Sequence, residues 1–161
     1  MVEPPRFELK DMPQDAYRHL LQLEGLLAQH LDLTLYHLIK LRASQINGCA
    51  YCLEMHTDEA LKHGEKVERI TSLDGWHESH LYSDKERAAL AWTDELTLIS
   101  KKHASREAFD ELKRHFSDDE IGWLIIAVVQ INSWNRIAIS TRAQYQRAPA
   151  AVTATKTPEP A

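Results

Sequence analysis

The chain has 161 residues, 43% hydrophobic, 27% charged and 7% aromatic, with 19 Lys and Arg against 24 Asp and Glu for a net charge of -5. A single domain of that size buries roughly 70% of the surface its unfolded chain exposes, so stability requires neither a disulfide scaffold nor a structural metal. An acidic balance without a run of Lys or Arg excludes the basic footprint of a nucleic-acid-binding protein and argues against an anionic membrane surface. The longest apolar stretch, Ile121 to Val129 interrupted by Gly122, is well short of the about 20 residues of a membrane span. The first residues, Met1-Val-Glu-Pro-Pro-Arg6, have neither a secretory nor a transit pattern, so a cytoplasmic protein with reduced thiols is expected.

All six prolines lie in the tails, at positions 4, 5, 13, 149, 158 and 160, leaving 14–148 without the residue that most often punctuates helices and turns. A β-rich domain needs a turn about every ten residues, and this chain lacks the Gly and Pro to make them. An all-α single domain of about six to seven helices follows. Leu20, Leu23, Leu26 and Leu27 recur at helical steps, as do Leu35, Leu38, Ile39 and Leu41, which predicts amphipathic helices over 13–29 and 32–46. Asn47-Gly48 breaks the pattern. A third helix is expected from about Gly48 to His63, with Gly64 as its left-handed cap.

A short helix at Val67 to Leu73 precedes a loop at Asp74-Gly75, and the Ser83-Asp-Lys-Glu86 capping box then opens a helix to about Lys102. Ser105 begins another through His115. The second capping box, Ser117-Asp-Asp-Glu120, leads into a long helix over 118–145 with a core face of Ile121, Leu124, Ile125, Val128, Val129, Ile131 and Trp134. The domain therefore covers 13–146, after an N-terminal extension at 1–12 and before a disordered tail at 147–161 rich in Ala, Thr and Pro.

Cys49-Ala-Tyr-Cys52-Leu-Glu-Met-His56 holds the two cysteines of the chain, three residues apart, with a histidine four residues beyond the second. On a helix the three share one face. The thiolate is the reactive form, and unaided cysteine has a pKa of about 8.5. A helix start supplies free N–H groups and the positive end of the dipole, and His56 can take a proton or stabilise the thiolate. Either cysteine can react first in such a motif; the proximity of His56 favours Cys52 as attacking thiol and Cys49 as resolving thiol, through a sulfenic acid and then a disulfide. Metal binding and inert buried thiols remain the other readings. A structural zinc wants four ligands, and no second cysteine pair exists. His77 and His80 have ligand spacing but sit in a surface segment, where solvated histidines are the simpler reading.

The run from Leu41 to Ala60, LRASQINGCAYCLEMHTDEA, resembles the core motif of the alkylhydroperoxidase D (AhpD)-like branch of the carboxymuconolactone decarboxylase superfamily. The likeness continues through Glu86–Asp94, His115–Ile121 and Ile131–Arg136, covering about 13–142. It implies an AhpD-like helical bundle, assembly as homotrimers or homohexamers, and an antioxidant thiol peroxidase acting on organic hydroperoxides or hydrogen peroxide. It also implies Cys52 as the attacking thiol, Cys49 as the resolving thiol and His56 as proton relay. A dithiol partner, lipoyl-bearing or thioredoxin-like, would return the pair to its reduced state, without a metal or organic cofactor.

One position departs from that pattern. Twelve residues before the first cysteine the family has a glutamate that completes the proton relay, and this chain has His37. A histidine is neutral or cationic where a glutamate is an anionic base, so a weakened or altered peroxidase is expected, with His37 still counted in the site. Glu24 is read first as an exposed helix residue and second as a substitute carboxylate. Tyr51 either lines the pocket or packs, Trp134 and Asn135 serve the core or a subunit interface, and His103 and His115 are solvated helix-end residues. A redox-sensing or general thiol–disulfide protein of the same fold is the alternative function. Lactone decarboxylation, the superfamily's other activity, does not depend on a cysteine pair.

Overall fold

The computed structural model describes residues 3–147, which form eight α-helices and no strand. Most of the tail expected at 147–161 lies outside the described residues. The helices are α1 (Gln14–His30), α2 (Leu33–Asn47), α3 (Ala50–Lys62), α4 (Val67–Ser72), α5 (Asp84–Thr97), α6 (Ile99–Lys102), α7 (Arg106–His115) and α8 (Asp118–Thr141). Both capping boxes are complete: the Ser83 and Ser117 hydroxyls accept from the amides of Glu86 and Glu120, whose carboxylates accept from the serine amides.

Two helices end earlier than periodicity predicts. The expected helix to Lys102 stops at Thr97, and the additional short α6 is the remainder. Glu95 folds this stretch back by accepting from the Ser105 amide at 3.0 Å and hydroxyl at 3.2 Å, across a turn with His103 and Ala104 at positive φ. Helix α8 ends at Thr141 instead of 145. Arg142 is left-handed there, and the Thr141 carbonyl accepts from the Arg6 amide at 2.8 Å.

Helix α2 is the axis of the fold. Every residue from Leu35 to Ser44 is buried, so the amphipathic helix expected at 32–46 is buried on all sides. Leu35 and Ile39 pack with Trp92, Leu112 and Leu124, Leu38 and Leu41 pack with Leu73 and Leu90, and Tyr36 packs with Leu27 and Ala127. Truncating a fully buried leucine such as Leu38 to Ala typically costs about 2–5 kcal/mol. The polar residues of α2 are therefore paired. Arg42 donates to both oxygens of Asp94, at 2.6 and 3.0 Å, and to Asp74 at 2.7 Å, which fixes α2 against α5 and the turn after α4.

Helix α8 differs from expectation in the other direction. Val129, placed on the core face by periodicity, is 54% exposed, and Ile126 one turn before it and Ile139 further along the helix are exposed to lesser degrees. Leu26 of the α1 leucine series is also exposed.

Candidate active site

The site is built where α2 hands over to α3. Gly48 adopts the left-handed conformation (φ 67°) that ends α2, a conformation disfavoured for residues with a Cβ. Its neighbour Cys49 is the N-cap of α3, not a helical residue, so the helix begins two residues later than expected at Gly48. A polar seam holds this corner to α8. Asn47 donates to the side-chain oxygens of Asn132 and Asn135 at 3.0 and 2.8 Å, and Asn135 donates to the Ser44 hydroxyl at 3.0 Å. Asn135, fully buried, thus belongs to the internal packing of the site.

The Cys49 sulfur accepts from the Cys52 amide at 3.3 Å, in the manner of an N-cap side chain. The two cysteines are joined by a disulfide with Cα atoms 5.3 Å apart, and each is 1% exposed. From there Cys52, His56 and Ala60 form the buried stripe of α3 at steps of four.

His56 Nδ1 lies 2.8 Å from the Glu59 carboxylate. An ionised carboxylate only accepts, so Nδ1 carries the hydrogen, and in the neutral ring that burial favours, Nε2, buried and without a hydrogen-bond partner, keeps a free lone pair. Burial lowers the His56 pKa, against the opposing hydrogen bond to Glu59. Burial alone would raise Glu59, but the hydrogen bond with His56 and the nearby Lys40 charge outweigh it and hold that carboxyl at about 2. Lys40 reaches Glu59 and Glu24 equally, at 3.3 Å each. Glu24 also accepts from the Tyr36 hydroxyl at 2.7 Å and the Trp134 indole at 3.1 Å. Burial first, then Glu24, drives the Tyr36 phenol far above its ordinary value, so it stays a donor.

A cavity of about 190 Å³ opens onto this network, lined by Cys52, His56, Glu24 and Glu59 together with Tyr51, Trp134 and apolar side chains. Cys49 is not among its lining residues. Glu24, read first as an exposed helix residue, is a cavity residue held by three donors. Tyr51 both lines the cavity and meets Tyr145 edge-on. His37 is buried but faces elsewhere: its Nε2 lies 3.2 Å from His63 Nδ1, and it does not line the cavity. Burial, followed by the Lys40 charge, lowers its pKa to about 4.

Glu59 and Lys40 are the residues sequence reasoning missed. Glu59 stands three positions after His56, a spacing that brings side chains together on a helix, and Lys40 stands one turn after His37. The outlying histidines stay apart from the site: His77 and His80 are exposed, as is His103, and half-buried His115 pairs with Glu111. Among the described residues, no cluster of three or more Cys, His, Asp or Glu is arranged to hold a metal ion, and no helix is long and apolar enough to cross a membrane.

Both ends of the described chain meet near the redox pair. Leu9, from a 3-10 turn in the N-terminal segment, supplies part of the cavity wall. Glu3 pairs with Arg142, and beyond it Ala143 packs against the cysteines. Arg147 then grips both oxygens of Asp58, at 3.0 and 2.6 Å.

The model of the carboxymuconolactone decarboxylase family matches residues 14–95, from the start of α1 to near the end of α5. That span carries every polar residue of the network except Trp134. Uncharacterized protein YdfG of Bacillus subtilis (strain 168) is 42% identical over 110 residues, which is 68% of this chain and 75% of YdfG. ATU0492 from Agrobacterium tumefaciens, a protein of unknown function proposed to be the antioxidant defence protein AhpD, superposes with a TM-score of 0.86. It has 38% identity, over 90% of this chain and 100% of its own. The debrominase Bmp8 shares the fold alone, at TM-score 0.72 and 22% identity over 83% of this chain and 72% of its own. The chain belongs to the carboxymuconolactone decarboxylase family, in its AhpD-like branch.

Proposed function

We propose that the protein is an AhpD-like thiol peroxidase, with Cys52 as nucleophile, Cys49 as resolving thiol and His56 as proton relay. The observation that carries this reading is the free, buried Nε2 of His56 on the wall it shares with Cys52, with Nδ1 fixed by Glu59. In the reduced protein His56 takes the Cys52 proton. The thiolate attacks the terminal oxygen of a hydroperoxide, breaks the O–O bond and becomes a sulfenic acid, and the departing alkoxide receives the proton from His56. The Cys49 thiol then displaces water and forms the disulfide. A dithiol, lipoyl-bearing or thioredoxin-like, reduces that bond and is itself oxidised to a disulfide.

The position of Cys52 on the cavity, with Cys49 behind it, supports this order of attack. Glu59, ionised and bonded to His56, serves as the carboxylate that a glutamate at position 37 would otherwise supply, while His37 has a supporting place through His63. Exposed Ile99, Ile126, Val129 and Ile139 support assembly as homotrimers or homohexamers. A redox sensor with slow turnover is the second reading, favoured by the burial of both sulfurs.

The test is the rate at which reduced protein loses its thiols on adding hydrogen peroxide or an alkyl hydroperoxide, followed by mass spectrometry. Rapid loss ending in the Cys49–Cys52 disulfide, with Cys52→Ser inert and Cys49→Ser stopped at a sulfenic acid, is the expected result. Loss no faster than that of free cysteine overturns the peroxidase. Rapid oxidation without turnover by any dithiol selects the sensor.

A further inference from the structure

We propose that Glu24 makes the cavity a charge filter, admitting compact uncharged peroxides and turning away those that carry an anionic group. This rests on the reading of Cys52 as the peroxide-attacking thiol, and it adds a residue whose work is selection.

Most of the cavity wall is apolar, with Leu9, Leu21, Met55 and Ile137 among its residues, and among the described residues no Lys or Arg lines it. Two carboxylates do, Glu24 and Glu59. Among the described residues Lys40 is the cation that pairs with both, bridging them with its side chain 6% exposed. It offsets one of the two charges, and burial favours the neutral form of His56. One net negative charge is left facing a small, mostly apolar space, close enough to an entering ligand to act on it even though the Glu24 and Glu59 side chains are 26% and 39% exposed. The Tyr36 hydroxyl and Trp134 indole fix Glu24 in place, so it cannot swing away from an incoming anion. Glu59 already orients His56, which leaves Glu24 outside the proton relay. An uncharged ligand meets no such repulsion and buries its apolar body against the walls.

The test pairs cumene hydroperoxide with its para-carboxylated counterpart, measuring the second-order rate of thiol loss in the full chain and in Glu24→Gln and Glu24→Asp. The expected result is a preference for the uncharged peroxide of about tenfold or more, retained in Glu24→Asp and reduced to about threefold or less in Glu24→Gln. Equal rates for the two peroxides with the unaltered chain overturn the proposal. So does a preference that survives Glu24→Gln undiminished.

Binding separates this from the peroxidase reading. The disulfide form is titrated calorimetrically with cumyl alcohol and its para-carboxylate, neither of which can be reduced. Selective binding of the alcohol supports the filter even where no peroxide reacts. Equal binding of both overturns it even where peroxide reduction is fast.

Discussion

Helices α2 and α8 invert the usual relation between polarity and burial. Helix α2 carries His37, Lys40, Arg42 and Ser44 into the interior, while α8, the most apolar helix of the chain, leaves Ile126, Val129 and Ile139 in contact with solvent. The two helices have different tasks. A charge is buried only where partners compensate its lost hydration, and the partners of α2 come from elsewhere: Asp94 from α5, Glu24 from α1, Glu59 from α3. The central helix thereby assembles the site. Helix α8 has filled its inner face and still has apolar surface to spare, which suits a contact with another subunit.

The largest effect that would break the contrast is expected from Arg42. Replacing it by Met leaves Asp94 buried without its partner and should cost about 3–5 kcal/mol, read as a lower urea midpoint at unchanged slope. A midpoint within experimental error of the parent would mean that α2 does not depend on its internal ion pairs. Acid sensitivity comes next. His37 titrates at about 4 in the folded chain and near its ordinary value of about 6.5 when unfolded, so the unfolded state takes up a proton that the folded state refuses. Stability is therefore full above about pH 6.5 and falls as pH drops toward 4, by about 1–2 kcal/mol after allowance for solvent reached through His63. His37→Gln should flatten that decline in thermal melts taken between pH 7 and 4.

Lys40→Met sharpens the contrast at the site. Lys40 lowers the His56 pKa, so its removal raises that pKa and protonates the base at higher pH. The acid limb of the thiol-oxidation profile should move up by about one pH unit; an unmoved limb would detach Lys40 from the relay. The smallest effect on folding is expected at Val129. Val129→Ser should change monomer stability by no more than about 0.5 kcal/mol, yet reduce self-association in sedimentation. Unaltered sedimentation would leave the exposed face of α8 without a subunit to cover it.

Much of this was legible in the sequence. The chain without internal proline, the two capping boxes and the spacing of Cys49, Cys52 and His56 carry the fold and the redox pair, because each is a local signal. The failures lie where distant residues decide the outcome. Helix α2 read as amphipathic, since nothing local reveals that Arg42 will meet Asp94, fifty-two positions away. Glu24 read as a surface residue because its three donors come from two other helices. The ends of α5 and α8 are set by side-chain and terminal contacts, from Ser105 to Glu95 and from Arg6 to Thr141, that propensity does not contain.

The bond between Arg6 and the Thr141 carbonyl also has a bearing on the order of assembly. In a chain made from its N-terminus Leu9 emerges well before α8, and the Arg6 anchor beside it has no partner until α8 is finished. That part of the cavity wall is thus begun before α3 and anchored only after α8, so Cys52 is made before its cavity is complete.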